Sequence, residues 1–410
     1  MIMKYILTAF VVSVSLLLKA QSCNPDSLKN YQIRASDTDP NISWKLNKHY
    51  AWFNPTCLFQ NTLLVHLVGS YDNPQSTTLF PELAANNGFH VVSLKYPNST
   101  AAQTACGNSS DPDCYLNFRK EIIEGIDYSI ETTVDSSNSI SNRLIKLLQY
   151  LDSNYPSENW SNYFSANVID WSKIIVSGHS QGGGHAAVIA ISKPVKRVLM
   201  FASPNDYSTF FNAPASWTSS PHTAQDSAYY GFNNLNDDVV DFSEQFQSWN
   251  NLGMPSFGDS IYVDNTTYPY FNSRQLYTRY DTSGIGGNHS VMILDSKTPI
   301  DGFGIPKFEP VWKYMLGIPS APSGIHSNIL VQGVKIFPNP MSDFSTVEVN
   351  NMRVKWSWTL FNSLGQTLQY KDNIINSQIA IRKDDLTSGV YLYRVLTADG
   401  RVASGKLTIE

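Results

Sequence analysis

Short apolar runs alternate with amphipathic segments along the first three quarters of the chain. The runs are rich in Val and Leu and end at turn residues; they occupy residues 62–70, 90–97, 173–177 and 195–204. Runs of this kind predict strands buried on both faces of a parallel sheet. Apolar positions at helical spacing predict helices over residues 77–88 and 139–156, the second capped by Ser139 or Ser141. Repeated strand and helix predict a doubly wound, mostly parallel α/β domain.

The pattern changes near residue 317. Residues 318–330 are rich in Pro, Ser and Gly and read as a linker. The segment that follows has short alternating runs, with hairpin signals at 362–365 and 399–400, and it predicts a small β-sandwich. The predicted domains are a signal peptide at 1–20, an α/β domain at 21–317, the linker at 318–330 and the sandwich at 331–410.

The first twenty residues have the pattern of a secretory signal peptide. A single early lysine, Lys4, precedes an apolar run from Tyr5 to Leu18, and the small residue Ala20 follows. The run is too short for a permanent membrane span, so we expect cleavage after Ala20 and no transmembrane segment in the mature chain. Lipidation of Cys23 is the weaker alternative, because the residues before it are a poor approach to a lipidated cysteine.

Export places the four cysteines in an oxidising compartment, where an even number predicts disulfides. Three pairings are possible. The short loop between Cys106 and Cys114 favours that bridge, which leaves Cys23 to join Cys57. Metal ligation is the weaker interpretation, because no two of the cysteines form a CxxC pair.

Size and charge narrow the class of protein. At 410 residues the chain exceeds the size of one hydrophobic core, which favours two domains. The balance of 29 basic and 34 acidic residues gives a formal net charge of −5. This balance offers no electrostatic reason to expect a nucleic-acid partner.

The strongest chemical motif is Gly178-His179-Ser180-Gln181-Gly182, a G-x-S-x-G sequence. It follows a predicted strand directly and precedes a predicted helix, which is the context of a nucleophile elbow. We therefore predict that Ser180 is a nucleophile. The alternative is a glycine-rich turn without a catalytic role.

A nucleophilic serine needs a base and an orienting acid, and in the fold that carries a nucleophile elbow these follow in the chain order Ser, acid, His. Only His289 and His326 occur late enough, and His326 lies in the linker, so His289 is the predicted general base. The acid should follow the strand predicted before residue 233. Asp237 is favoured, Asp238 is the main alternative, and Asp206 is an outside candidate one strand earlier.

An oxyanion site should combine two backbone N–H groups. Gln181 supplies one, and the loop after the first buried strand supplies the other from Ser70 or Tyr71. We expect the aromatic insertion at 205–228 to form a lid or rim over the site. The candidate substrate-binding residues are Phe210, Phe211, Trp217 and His179.

The elbow, the acid loop at Asp237 and His289 together resemble the α/β-hydrolase superfamily, including secreted esterase-like members. The resemblance covers residues 63 to about 317. It implies an acyl-enzyme mechanism that needs no metal and no organic cofactor, acting on a small-molecule or polymeric ester. The open alternatives are a peptidase or amidase with the same triad, and a surface binding protein that kept the fold without catalysis.

Three separated motifs mark the residues after 330: KIFPNP at 335–340, LFNSLGQTL at 360–368 and LTSGVYLYRV at 386–395. In this order they resemble the C-terminal sorting domain of the Bacteroidetes type IX secretion system. The resemblance implies export across the outer membrane with that machinery as partner, followed by release or surface anchoring. An ordinary carbohydrate-binding or adhesive sandwich is the alternative.

Overall fold

The structure is a computed structural model that describes residues 23–282, 284, 286–302, 304–319, 334–349, 355–362, 367–397 and 402–410. The predicted signal peptide at 1–20 lies outside the described residues. So does the predicted linker from residue 320 onward.

Strands and helices alternate through the first part of the chain. The strands are β1 (Lys29–Arg34), β2 (Lys48–Phe53), β3 (Leu63–Leu67), β4 (His90–Leu94), β5 (Phe164–Ser165), β6 (Val168–Ile169), β7 (Ile174–His179), β8 (Arg197–Phe201), β9 (Tyr207–Ser208), β10 (Ala213–Pro214), β11 (Tyr229–Asn234), β12 (Ile261–Tyr262) and β13 (Gln275–Thr278). The helices are α1 (Ala35–Thr38), α2 (Leu79–Ala85), α3 (Ala102–Cys106), α4 (Cys114–Glu124), α5 (Ile140–Asn154), α6 (Gln181–Ser192), α7 (Phe242–Asn251), α8 (Gly287–Ser290) and α9 (Glu309–Leu316).

Nine of these strands form one mixed sheet within the described residues, in the order β1-β2-β4-β3-β7-β8-β11-β13-β12. Every neighbouring pair from β4 to β12 is parallel. Only β2 runs in the opposite direction, antiparallel to both β1 and β4. The parallel strands therefore bring their carboxyl ends, and the loops that follow them, to one edge of the sheet.

The sheet is buried on both faces because its strands are apolar at successive positions. Val65 and Val176 belong to a buried cluster shared with α4, α5 and α6. Their neighbours Leu64 and Ile175 point to the other face, in a cluster shared with α2 and α9. Continuous apolar runs in the sequence are therefore strands covered by helices on both sides.

The described elements lie close to where the sequence placed them. Strands β3, β4 and β8 fall inside their apolar runs, β7 begins in its run and extends two residues past it, and α2 and α5 fall inside the two helical segments. Ser139 caps α5, since its Oγ accepts a hydrogen bond from the N–H of Asn142 at 3.2 Å. Strands β1 and β2 were not predicted, because the sequences KNYQIR and KHYAWF mix polar with aromatic residues.

The cysteines pair as the sequence predicted, in the bridges Cys23–Cys57 and Cys106–Cys114. The second bridge joins the last residue of α3 to the first residue of α4. These two helices carry Gln103 and Arg119, which line the cavity described below. The bridge thus constrains part of the cavity wall.

The C-terminal residues form two antiparallel sheets around one core within the described part of the chain. The strands are β14 (Val334–Phe337), β15 (Phe344–Val349), β16 (Trp356–Phe361), β17 (Thr367–Ile374), β18 (Gln378–Arg382), β19 (Gly389–Thr397) and β20 (Val402–Ile409). One sheet has the order β14-β15-β18 and the other β17-β16-β19-β20. Strands β16–β17 and β19–β20 pair as expected for hairpins, although most of the predicted turn residues lie outside the described residues.

Three buried histidines lie on adjacent strands of the large sheet. His49, His66 and His90 are each at most 1% exposed. Burial lowers the pKa of His49 and of His66 to about 3, and that of His90 to about 4. His66 Nδ1 lies 3.0 Å from the hydroxyl of Ser177, which supports a structural role.

We predict that the free energy of unfolding falls as the pH drops from 6.5 toward 3. The pKa of His66 is depressed in the folded state. Below pH 6.5 the unfolded chain therefore binds a proton that the folded chain does not bind. Each such histidine should contribute up to about 1.4 kcal/mol per pH unit. Urea unfolding of His66→Asn at a series of pH values should show a shallower slope than wild type. An unchanged slope would contradict the prediction.

Helix α7 packs closely on β11 at a glycine. A Cβ atom at Gly231 would lie 2.2 Å from the indole ring of Trp249. That ring is fully buried, and its Nε1–H donates to the carbonyl of Ser203 at 2.9 Å. The indole ring therefore cannot move away from a methyl group added at Gly231.

Gly231→Ala should destabilise the α/β domain by about 1–3 kcal/mol through overpacking against Trp249. Thermal unfolding should show a midpoint several degrees below that of wild type. Gly302→Ala is the matched control, since a Cβ at Gly302 meets nothing within 4 Å. Equal midpoints for the two variants would refute the packing argument.

Candidate active site

Ser180 lies at the junction between β7 and α6 in a strained backbone conformation. Its φ is 52° and its ψ is −118°, and its N–H donates to the carbonyl of Phe201 at 2.8 Å. A Cβ at Gly182 would lie 2.0 Å from the carbonyl oxygen of Leu67, and one at Gly178 would lie 2.2 Å from the backbone carbon of Gly182. The two glycines of the motif are therefore needed for close approach of strand and helix.

His289 and Asp237 form a close pair at the same edge of the sheet. The Nδ1 atom of His289 lies 2.7 Å from Oδ2 of Asp237, whose side chain is fully buried. A carboxylate only accepts hydrogen bonds, so Nδ1 carries the proton and a neutral ring leaves Nε2 as an acceptor. Asp237 Oδ1 also accepts the N–H groups of Val239 and Val240, at 2.9 and 3.0 Å.

Asp238 has a different role from its neighbour. Its carboxylate accepts the backbone N–H of His289 at 3.0 Å and that of Gly286 at 2.7 Å. Burial raises the pKa of Asp238, but these backbone hydrogen bonds outweigh it, so the pKa lies below its ordinary value. The geometry favours Asp237 as the residue that orients the imidazole, while Asp238 holds the backbone of the histidine loop.

Ser180 and His289 line one cavity of about 320 Å³ at the carboxyl edge of the sheet. Within the described residues Nε2 of His289 is buried and has no hydrogen-bond partner. The Ser180 hydroxyl is not bonded to it in this structure. Catalytic hydrogen bonds are often long before substrate binds and shorten in the complex.

A chain of amides connects the serine to the acid. Asn205 Nδ2 donates to Ser180 Oγ at 3.3 Å, and Asn205 Oδ1 accepts from Gln245 Nε2 at 2.8 Å. Gln245 Oε1 accepts from Asn233 Nδ2 at 2.7 Å. The same Nε2 of Gln245 lies 3.4 Å from Asp237 Oδ2. Because each amide fixes the orientation of the next, the network holds the serine hydroxyl and the carboxylate in register.

Two backbone N–H groups at the cavity are available as oxyanion donors. The N–H groups of Ser70 and Gln181 donate no hydrogen bond within the described residues. Tyr71 is excluded, because its N–H donates to the carbonyl of Asn98 at 2.8 Å. The Ser70 hydroxyl donates to Gln181 Oε1 at 2.5 Å and so ties the loop to the elbow.

Asp206, the outside candidate for the acid, pairs with an arginine. It is fully buried and forms a bidentate ion pair with Arg119, whose Nε lies 2.6 Å from Oδ2. Arg119 also donates to the carbonyl of Gln181 at 2.9 Å. This pair braces the first turn of α6 and does not contact the imidazole of His289.

His179, predicted as a substrate-binding residue, does lie on the cavity wall. Its side chain is buried, and its Nε2 lies 3.1 Å from the carbonyl of His289. Burial lowers the pKa of His179 to about 3. The ring is therefore neutral and donates to that carbonyl.

The aromatic residues expected to line the pocket lie elsewhere, and this expectation is corrected. Trp217 is fully buried in the core, where its Nε1–H donates to Asp206 at 2.8 Å. Phe210 and Phe211 are exposed, and their ring centroids are 4.9 Å apart. None of the three lines the cavity. The insertion contributes the polar side chains of Asn205 and Asp206 to the wall instead.

Several residues of the site carried no signal in the sequence. Arg119 and Gln245 lie inside helices without a motif, and only tertiary packing brings them to the site. Asn205 could have been considered from its place just after β8, since loops at the carboxyl ends of strands form such sites. His326, the alternative base, lies outside the described residues.

The comparison with protein families identifies the C-terminal part. Residues 335–410 match the family described as the secretion system C-terminal sorting domain. The chain thus carries a type IX secretion sorting domain and is exported by that system, to the cell surface or as a secreted protein. The match does not reach the candidate active site, and no curated protein matches the chain. No helix among the described residues has the length and hydrophobicity needed to cross a membrane.

Proposed function

We propose that the chain is an exported serine hydrolase of the α/β-hydrolase class that cleaves carboxylic esters. The observation that carries the proposal is the 2.7 Å hydrogen bond between His289 Nδ1 and the buried carboxylate of Asp237. His289 and Ser180 line the same cavity. A strained serine, an oriented imidazole and two free N–H donors are the parts that acyl transfer requires.

The proposed reaction begins with attack of the Ser180 oxygen on the ester carbonyl. His289 Nε2 takes the hydroxyl proton, and the N–H groups of Ser70 and Gln181 stabilise the oxyanion. The imidazolium then gives its proton to the departing alcohol, which leaves an acyl-enzyme. Water, activated by the same nitrogen, releases the carboxylic acid and restores Ser180. The modest cavity, about 320 Å³, favours esters with small groups at the reacting centre.

Ser180→Ala should lower the turnover of p-nitrophenyl acetate by about 10³-fold or more, because the nucleophile is removed. A fluorophosphonate probe should label wild type and not this variant. Ser161→Ala, an exposed serine of the same domain, is the matched control and should keep both activity and labelling. Wild-type turnover by Ser180→Ala would sink the proposal, and absence of labelling in wild type would favour a binding protein.

The two neighbouring aspartates should differ in their effect on kcat. Asp237→Asn should lower kcat by about 10⁴-fold, because an amide cannot hold the imidazole in the required tautomer. Asp238→Asn should cost much less, since the asparagine oxygen can still accept a backbone N–H of the histidine loop. The measurement is kcat for p-nitrophenyl acetate at neutral pH. A larger loss in Asp238→Asn than in Asp237→Asn would reverse the assignment of the acid.

A further inference from the structure

Asp72 is a carboxylate on the wall of the candidate active site with no role in the proposed reaction. It follows Ser70 and Tyr71 in the loop after β3, and it is partly buried. Within the described residues its carboxylate has no hydrogen bond and no ion pair. The nearby ammonium of Lys95 donates instead to the backbone carbonyl of Asp72 at 2.7 Å and to Asn98 Oδ1 at 2.9 Å. The carboxylate therefore lacks a donor.

A second acceptor without a partner faces the same space. His179 donates through Nε2 to the carbonyl of His289, so its Nδ1 carries a lone pair. That Nδ1 is buried and has no hydrogen-bond partner in the described part of the chain. A Cβ placed on Gly69 would lie 3.0 Å from this nitrogen and 3.5 Å from Asp72 Oδ2. The two acceptors thus converge over Gly69, at the cavity.

Of the two acceptors in this space, Asp72 is the one that carries a negative charge. Burial raises the pKa of Asp72, although the nearby Lys95 and His289 act in the opposite direction. A half-buried carboxylate has lost part of its hydration, and a charged donor would compensate for that loss. The other charged side chains on the wall, Arg119 and Asp206, neutralise each other.

We propose that Asp72 and His179 form a subsite for a protonated primary amine carried by the substrate. An ammonium group supplies three donors and no acceptor, which matches one carboxylate and one imidazole lone pair. The inference rests on the proposed ester hydrolysis and narrows its substrate class to esters with an ammonium group close to the reacting carbonyl. A hydroxyl group would satisfy the same acceptors without the charge, and the experiment separates the two.

The test uses three esters of similar shape at pH 6.5: ethyl L-alaninate, ethyl L-lactate and ethyl isobutyrate. They present an ammonium, a hydroxyl and a methyl group at the same position. Values of kcat/KM are measured by pH-stat for wild type and for Asp72→Asn, and the ratio between the two enzymes cancels the intrinsic reactivity of each ester. The loss in Asp72→Asn should be about tenfold greater for the alaninate than for the isobutyrate.

The matched control is Asp37→Asn, which removes the same charge from an exposed position in α1. It should leave the three relative rates as in wild type. Equal losses for all three esters in Asp72→Asn would overturn the subsite. A loss greatest for the lactate would replace the ammonium by a hydroxyl ligand and would also overturn it.

Binding to Ser180→Ala separates this inference from the proposed function. Calorimetry with intact ethyl L-alaninate should give at least about tenfold tighter binding than ethyl isobutyrate, and Ser180→Ala/Asp72→Asn should lose that difference. Ester hydrolysis without a preference for the alaninate in either assay would leave the hydrolase standing and refute the subsite. Selective binding of the alaninate without hydrolysis of any of the esters would support the subsite and refute the proposed hydrolase activity.

Discussion

The close approach of β3, β7 and α6 is the constraint on which the site depends. Gly178 and Gly182 allow backbone atoms to approach where a Cβ would collide, and Ser180 between them takes a strained conformation with a φ of 52°. This approach aims the serine hydroxyl at the cavity and brings the loop after β3 beside the start of α6. The N–H groups of Ser70 and Gln181, which donate no hydrogen bond within the described residues, lie at the same contact. Strain at the serine is maintained because the packed sheet holds both ends of the turn.

Around this turn, different polar groups orient the imidazole of His289, the backbone of its loop and the Ser180 hydroxyl. Asp237 holds the imidazole of His289, while Asp238 holds the backbone from which that imidazole projects. Gln245 lies between the carboxylate and Asn205, so the acid and the serine are positioned through one buried network. A buried polar network of this kind lowers the stability of the fold if any of its polar groups lacks a hydrogen-bond partner. This is a reason why nearly all of its polar groups are hydrogen-bonded. The carboxylate of Asp72 differs from these groups, because it has no hydrogen-bond partner in the part of the chain that the structure describes.

The large sheet and the C-terminal sheets differ in the core that they form and in the residues that they carry. The large sheet buries both of its faces and presents loops at one edge, as a site of this kind requires. The C-terminal sheets enclose a small apolar core and carry the sorting motifs. The disulfides agree with an exported protein, since the bridges Cys23–Cys57 and Cys106–Cys114 persist in an oxidising compartment.

Local pattern determined much of this protein: the buried strands, the elbow at Ser180, the disulfides and the sorting domain all depend on neighbours in sequence or on short spacings. Chain order and loop context also predicted His289 as the base, with Asp237 favoured as its partner and Asp238 and Asp206 as alternatives. Only the tertiary structure separated Asp237 from Asp238, because the two carboxylates meet different atoms of His289. The tertiary structure also places Trp217 in the core and not in the pocket. The pattern of apolar residues in a long insertion does not reveal which of them pack inward. Arg119 and Gln245 reach the site through helix packing, a long-range effect that no local signal encodes.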